Sequence, residues 1–335
     1  MFTLCIKGAL DTENADNTCY HEAMIRAFLY FIDQILPKPI RALPYAMAEI
    51  DLYSDLSSEN SGFELWSRNS FKLGSFVFGI SDLDLTIVTS GNLDHLRVKD
   101  FLKRKKKQWP FLGEANFYDR SDLINLAFFI NKFEKQRDPE LGRYLPEIID
   151  ESIEIEQLVF LLRLLQSDRE LEFNPRYRHK KWIQHLAQLG ITIGKTFNRS
   201  DLLDIICERI KNYPHLERGL RDWDVKRTRP DFDVYHADLD EGFKILYPHQ
   251  HLWFHTDSFQ SFFQERDQFE KKLIKRQIDW ELWGLYTQRF YISRESMELH
   301  LSRLLKVYAF VAEETDILRV QSLLTTMDLN ISAKS

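Results

Sequence analysis

Between residues 82 and 88 the chain reads Asp-Leu-Asp-Leu-Thr-Ile-Val, and this alternation constrains the fold more than any other feature. Side chains of a β-strand alternate between its two faces. Leu83, Leu85 and Ile87 therefore point one way and Asp82, Asp84 and Thr86 the other. The pattern predicts a strand with one buried face and two carboxylates sharing the opposite face, roughly 7 Å apart along the strand. Two ionised carboxylates at that spacing repel each other. A divalent cation between them removes the repulsion, and hard Mg²⁺ takes oxygen ligands of this kind. The plainer reading is a β-hairpin from Phe71 to Val88 whose solvated face carries both acids.

Just upstream, Gly74-Ser75 offers a tight turn, exposed backbone N–H groups and a hydroxyl. A residue without Cβ lets a phosphate approach the main chain closely. A phosphate site beside a two-carboxylate metal site is what transfer of a nucleotidyl group requires. One metal organises the triphosphate and a second lowers the pKa of the attacking hydroxyl.

The order Gly74-Ser75, three residues, Gly79, then Ser81-Asp82-Leu83-Asp84-Leu85 resembles the signature of the DNA polymerase beta-like nucleotidyltransferase superfamily. Within it, the chain looks most like small bacterial nucleotidyltransferase domains followed by a helical bundle. The resemblance spans about residues 65–125. It implies a mixed sheet backed by helices and two bound Mg²⁺ ions, with Mn²⁺ as an alternative. It also implies transfer of a nucleoside monophosphate from a nucleoside triphosphate such as ATP, with release of pyrophosphate. Gly74 and Ser75 match the family's phosphate-contacting pair, and Asp82 and Asp84 match its first two metal ligands. One departure is that only Ile80 separates Gly79 from Ser81, where many members carry several more residues.

Members of the family usually carry a third carboxylate on a neighbouring strand reached after an intervening helix. A helix expected over 93–107 fits between Asp84 and a strand at Asn116–Arg120. Asp119 is the residue assigned to that role, as metal ligand and as base for the incoming hydroxyl. Asp122 is the rival, although Ser121-Asp122 before Leu123 also reads as a helix start.

The rest of the chain bounds the architecture. Twelve Gly and ten Pro in 335 residues favour helices over a loop-rich all-β protein. Expected helices lie at 18–36, 45–60, 93–107 and 122–135, then near 155–165, 200–211, 258–285 and 293–326. The expected fold class is α+β: a nucleotidyltransferase-type catalytic domain at 1–140, its core at about 65–135, then an all-α domain at 145–330. The net charge of −6 disfavours general attraction to nucleic acid. Cys5, Cys19 and Cys207 form no CxxC pair, which argues against a disulfide framework and fits a reducing cytoplasm. No stretch reaches the apolar length of a membrane helix.

Weaker signals have ordinary explanations beside them. Lys103–Lys107 reads as a phosphate- or RNA-attracting run, or as cations that complement a helix C-terminus. Asn174–Trp182 is a basic, aromatic patch, and Arg178-His179 followed by His185 loosely resembles the motif of HEPN ribonucleases. His249, His251 and His255 are open to a zinc reading or a packed turn. Asp231, Asp233, Asp238, Asp240 and Glu241 suit a cationic acceptor or a solvated loop. Trp280, Trp283, Tyr286 and Phe290 have the spacing of a buried stripe.

The expected function is metal-dependent transfer of a nucleoside monophosphate to an acceptor hydroxyl on a protein, a small molecule or an RNA end. The alternatives are a non-catalytic, antitoxin-like binding module and a ribonuclease in the helical half.

Overall fold

A computed structural model describes residues 31, 35–59, 63–73, 76, 81–90, 95–145, 153–167, 175–227 and 266–327. It is an α+β structure in two compact units. The first comprises residues up to Ile124 together with Lys135–Pro146 and Gly284–Tyr291. The second comprises Asn125–Glu134, Glu147–Trp283 and Ile292–Ser335. A boundary falls near 146, but each unit also takes a segment from beyond it.

The first unit is built on a three-stranded sheet of order β1-β2-β3. Helix α1, Lys38–Glu59, precedes strand β1, Phe63–Ser67. A single helical turn, α2 (Asn69–Lys72), leads towards strand β2, Leu83–Thr89. Helix α3, His95–Gln108, carries the chain to strand β3, Leu112–Asp119. β1 runs antiparallel to β2, and β2 parallel to β3. The parallel pair needs a crossover, and α3 supplies it.

The alternation read from the sequence holds. Leu83, Leu85 and Ile87 are fully buried and join one core with Tyr45, Ala48, Leu52 and Leu56 of α1. That α1 stripe at spacings of three and four is the inner face of an amphipathic helix. Val98, Phe101 and Leu102 of α3 and Ala115 and Phe117 of β3 complete the core. Each large apolar side chain taken from water in this way contributes about 1.5–3 kcal/mol. α1 begins earlier than the expected 45–60: Pro39 sits in its first turn, where a missing N–H costs nothing, and Pro44 is accommodated inside it.

The opposite sheet face is polar. Trp66 Nε1 donates to Asp138 Oδ1 (2.7 Å), and Thr86 Oγ1 donates to Asp138 Oδ2. Asn116 Oδ1 accepts from Gln288 Nε2 (2.7 Å) and from Arg68 Nη2 (3.3 Å).

The second unit is helical. Helix α4 is Ile153–Ser167, α5 Pro175–Gln188, α6 Arg199–Arg209 and α7 Pro214–Arg227. Then come α8, Gln268–Thr287, α9, Arg294–Val311, and α10, Glu314–Thr326. The last turn of α8 belongs to the first unit. Asn198 caps α6 through a capping box with Asp201. The expected helix over 293–326 is broken at Glu313, which caps α10 with Asp316. Within this unit Arg276, 4% exposed, bonds to Glu156 and to the carbonyls of Phe128 (2.8 Å) and Ile130 (2.6 Å). A buried guanidinium needs such full pairing.

Among the described residues no helix is long and apolar enough to cross a membrane. The expected helix over 122–135 is a 3₁₀ turn at Arg120–Asp122 followed by short helices at Leu123–Leu126 and Lys132–Arg137.

Candidate functional site

The candidate site lies where β2 begins. The Tyr45 hydroxyl donates to the Ser81 carbonyl (2.7 Å), so α1 fixes the residue just before Asp82. Tyr45 is itself held by Phe71 and Phe111, with ring centroids 5.4 and 4.5 Å away. Leu83 N then bonds to Phe111 O (2.8 Å) and starts the ladder with β3.

The ladder is irregular at this level. Leu83 pairs with Leu112 and Leu85 with Ala115, so Gly113 and Glu114 together stand opposite Asp84. This is a β-bulge, which re-aims side chains locally. Gly113 has a role there that no larger residue can take. A Cβ on it would lie 2.5 Å from Asp84 Oδ1 and 2.9 Å from Asp82 Cβ. Both acidic side chains therefore crowd one point, the space above Gly113. The Asp84 carboxylate and the Asp82 Cβ thus both lie against Gly113, and a bare glycine gives them room.

β1 supplies the other wall. Arg68 N bonds to Asp84 O (3.0 Å), which extends the β1–β2 ladder by one residue. Asn69 then turns with φ 60°, the left-handed region that few non-glycine residues enter, Asn among them. The turn aims its side chain at β2, and Asn69 Nδ2 donates to Asp84 Oδ2 (2.6 Å). Asn69 is 6% exposed, and its Oδ1 is buried with no hydrogen-bond partner among the described residues. The Arg68 guanidinium, also buried, donates to Leu85 O (3.2 Å) and to Asn116 Oδ1 (3.3 Å).

Asp119 is not brought to this pair. It lies opposite Thr89, five ladder positions beyond the level of Asp84, which is roughly 16 Å along a strand. Alternation also sets it with Ala115 and Phe117, on the face away from Asp84. Its Oδ1 accepts from Thr89 Oγ1 (2.8 Å) and its Oδ2 from Arg289 Nη2 (2.7 Å). Asp122 lies in the turn beyond the end of β3 and accepts from the Tyr286 hydroxyl (2.6 Å). Burial pushes that hydroxyl's pKa far up, so it stays a donor. The acid of β3 that shares the face of Asp84 is Glu114, half-buried.

Gly74 and Ser75, the expected phosphate pair, lie outside the described residues, as do Gly79, Cys5, Cys19, the 231–241 acidic stretch and His249, His251 and His255. Lys105 of the basic run bonds to Asp51 (2.7 Å) and Asp55 (2.6 Å) of α1. His185 stacks on Phe160, centroids 5.3 Å apart, and Trp182 is buried. Trp280 and Trp283 are buried in the second unit, whereas Tyr286 and Phe290 belong to the first.

Sequence reasoning missed Asn69, Gly113 and Glu114. A signal existed for Gly113: a lone glycine at the start of a strand pattern marks a bulge or a close approach. Among the described residues no group of three or more His, Cys, Asp or Glu side chains gathers to hold a metal ion. No protein-family model, curated protein or solved structure matches the chain.

Proposed function

We propose that the chain is a metal-dependent nucleotidyltransferase of the polymerase beta-like type, with its site at the start of β2. The observation that carries this reading is that the Asp84 carboxylate oxygen and the Asp82 Cβ both lie against Gly113. A mixed sheet backed by helices, which the resemblance implies, is in keeping with it.

The residues present suit Mg²⁺ or Mn²⁺. The donors are oxygens only, a Cβ on Gly113 would meet both the Asp84 carboxylate and the Asp82 Cβ, and the buried Asn69 Oδ1 has no hydrogen-bond partner among the described residues. Asp82 and Asp84 would hold the ions, and Glu114 is the acidic neighbour on β3. The bound ions would neutralise the triphosphate and acidify the acceptor hydroxyl.

In the reaction the acceptor oxygen bonds to the α-phosphorus as the bond to pyrophosphate breaks, and the hydroxyl proton passes to a carboxylate of the site. The chain's own part is orientation. Asn69 and Gly113 set the Asp84 carboxylate, and Tyr45 sets the approach to Asp82. Gly74 and Ser75 remain the proposed phosphate contacts.

The test is incubation with each α-labelled triphosphate, Mg²⁺ and cell lysate. Label should pass to one acceptor fraction with release of pyrophosphate, and Asp82→Asn and Asp84→Asn should each abolish transfer. Triphosphate binding without any transfer would favour the binding-module reading. The absence of both triphosphate binding and transfer would overturn the proposal.

A further inference from the structure

We infer that Asn69 is a positioning residue that selects which oxygen of Asp84 serves as the metal ligand; this rests on the metal-site reading above. Two oxygens of one carboxylate are equivalent until something binds one of them. Here Asn69 Nδ2 holds Oδ2 at 2.6 Å. That leaves Oδ1 directed over Gly113, next to the Asp82 side chain. The amide therefore turns a freely rotating carboxylate into one with a defined ligand edge.

The local structure is costly in a way that points to a role. Asn69 sits at φ 60° and is 6% exposed, and its Oδ1 has no hydrogen-bond partner among the described residues. Backbone strain and an orphaned buried polar atom both destabilise a fold, and they concentrate at functional sites. A glycine would relieve the backbone strain and remove the orphan, but would lose the bond to Asp84. The orphaned oxygen also has a use. A hydrated cation held by Asp84 would bring water O–H donors, one of which this amide oxygen could accept. Groups that orient metal ligands in this way typically govern affinity 10–100-fold.

The experiment uses the full chain and Mn²⁺ alone, titrated by electron paramagnetic resonance and calorimetry. The proteins are wild type, Asn69→Gly, Asp84→Asn and the double variant, each with its thermal midpoint. Asn69→Gly keeps the left-handed backbone and deletes only the amide. Its Mn²⁺ affinity should fall by about 10- to 100-fold while the midpoint stays within a few degrees of wild type. In the Asp84→Asn background, Asn69→Gly should change Mn²⁺ affinity no further, because the two groups act as one. A merely structural role gives the reverse: a lowered midpoint with unaltered Mn²⁺ affinity. If Asp84→Asn weakens Mn²⁺ binding and Asn69→Gly does not, this inference falls and the metal site stands. If wild type and Asp84→Asn both fail to bind Mn²⁺, the metal site falls and this inference with it.

Discussion

Gly113 approaches Asp84 so closely that a Cβ on it would stand 2.5 Å from the carboxylate Oδ1. Real Cβ atoms do not sit so near an oxygen, so Gly113→Ala must move something. The Asp84 carboxylate is the end of a side chain and can rotate, but the 2.9 Å approach to Asp82 Cβ cannot be relieved so readily. Overpacking of this kind costs about 1–3 kcal/mol. The larger loss should fall on the site: Gly113→Ala should keep a folded far-ultraviolet spectrum and lose most of its Mn²⁺ affinity. An alanine variant that binds Mn²⁺ like wild type would show that this crowding has no part in ion binding.

Asp119 and Glu114 should separate cleanly. Asp119 is bound through both oxygens to Thr89 and Arg289. Removing one partner of a partly buried charge-assisted bond costs about 1–3 kcal/mol. Asp119→Asn should therefore lower the denaturation midpoint and leave Mn²⁺ affinity intact. Glu114→Gln should do the opposite. Equal Mn²⁺ affinities for wild type and Glu114→Gln would place Glu114 outside the site.

The contrast between these two acids shows what could be read in the sequence. The strand at Leu83–Thr89 and its inward and outward faces follow from period-two alternation, which is local information. So does the α1 stripe of Tyr45, Ala48, Leu52 and Leu56. The third acid is a question of register between β2 and β3, and register is not local. Past the bulge at Gly113–Glu114 the even-numbered residues of β3 lie on the face of Asp84, so Glu114 shares that face and Asp119 does not. β1, Phe63–Ser67, was not anticipated, since five residues after a turn-rich boundary carry little pattern. The left-handed turn at Asn69 and the seat of Gly284–Tyr291 in the first unit are tertiary outcomes with no local signature.

The α1–α3 latch predicts an acid-side effect. Asp51 accepts from Lys105 Nζ (2.7 Å) and Trp109 Nε1 (2.8 Å), and the hydrogen bond from Lys105 is the main cause of its lowered pKa. A carboxyl depressed in the folded state adds stability that is present above its ordinary 3.8 and lost as pH falls through the folded value. The pair is partly solvated, so the contribution is about 1 kcal/mol or less. Asp51→Asn should be less stable than wild type at pH 6 in urea, and the gap should close towards pH 3. A gap that persists at pH 3 would mean that the amide disturbs α1 by some other route.

Cys207 predicts an effect at the other end of the scale. It lies at 3% exposure on α6, and burial raises its thiol pKa from 9.0 to about 11. The native state then holds this proton more tightly than the unfolded state does. Stability is therefore undiminished below pH 9 and falls as pH rises through 11, at a rate set by the difference in bound protons. Cys207→Ala removes the group and leaves a small cavity, so it should be less stable than wild type at pH 8. Between pH 8.5 and 10.5 the wild-type advantage should shrink, because only wild type carries the buried thiol. In a background with Cys5→Ser and Cys19→Ser, the remaining thiol should react with iodoacetamide at pH 8 only at the rate of global unfolding. Rapid modification of the native protein under those conditions would show that the thiol ionises in place, and the alkaline effect would then be absent.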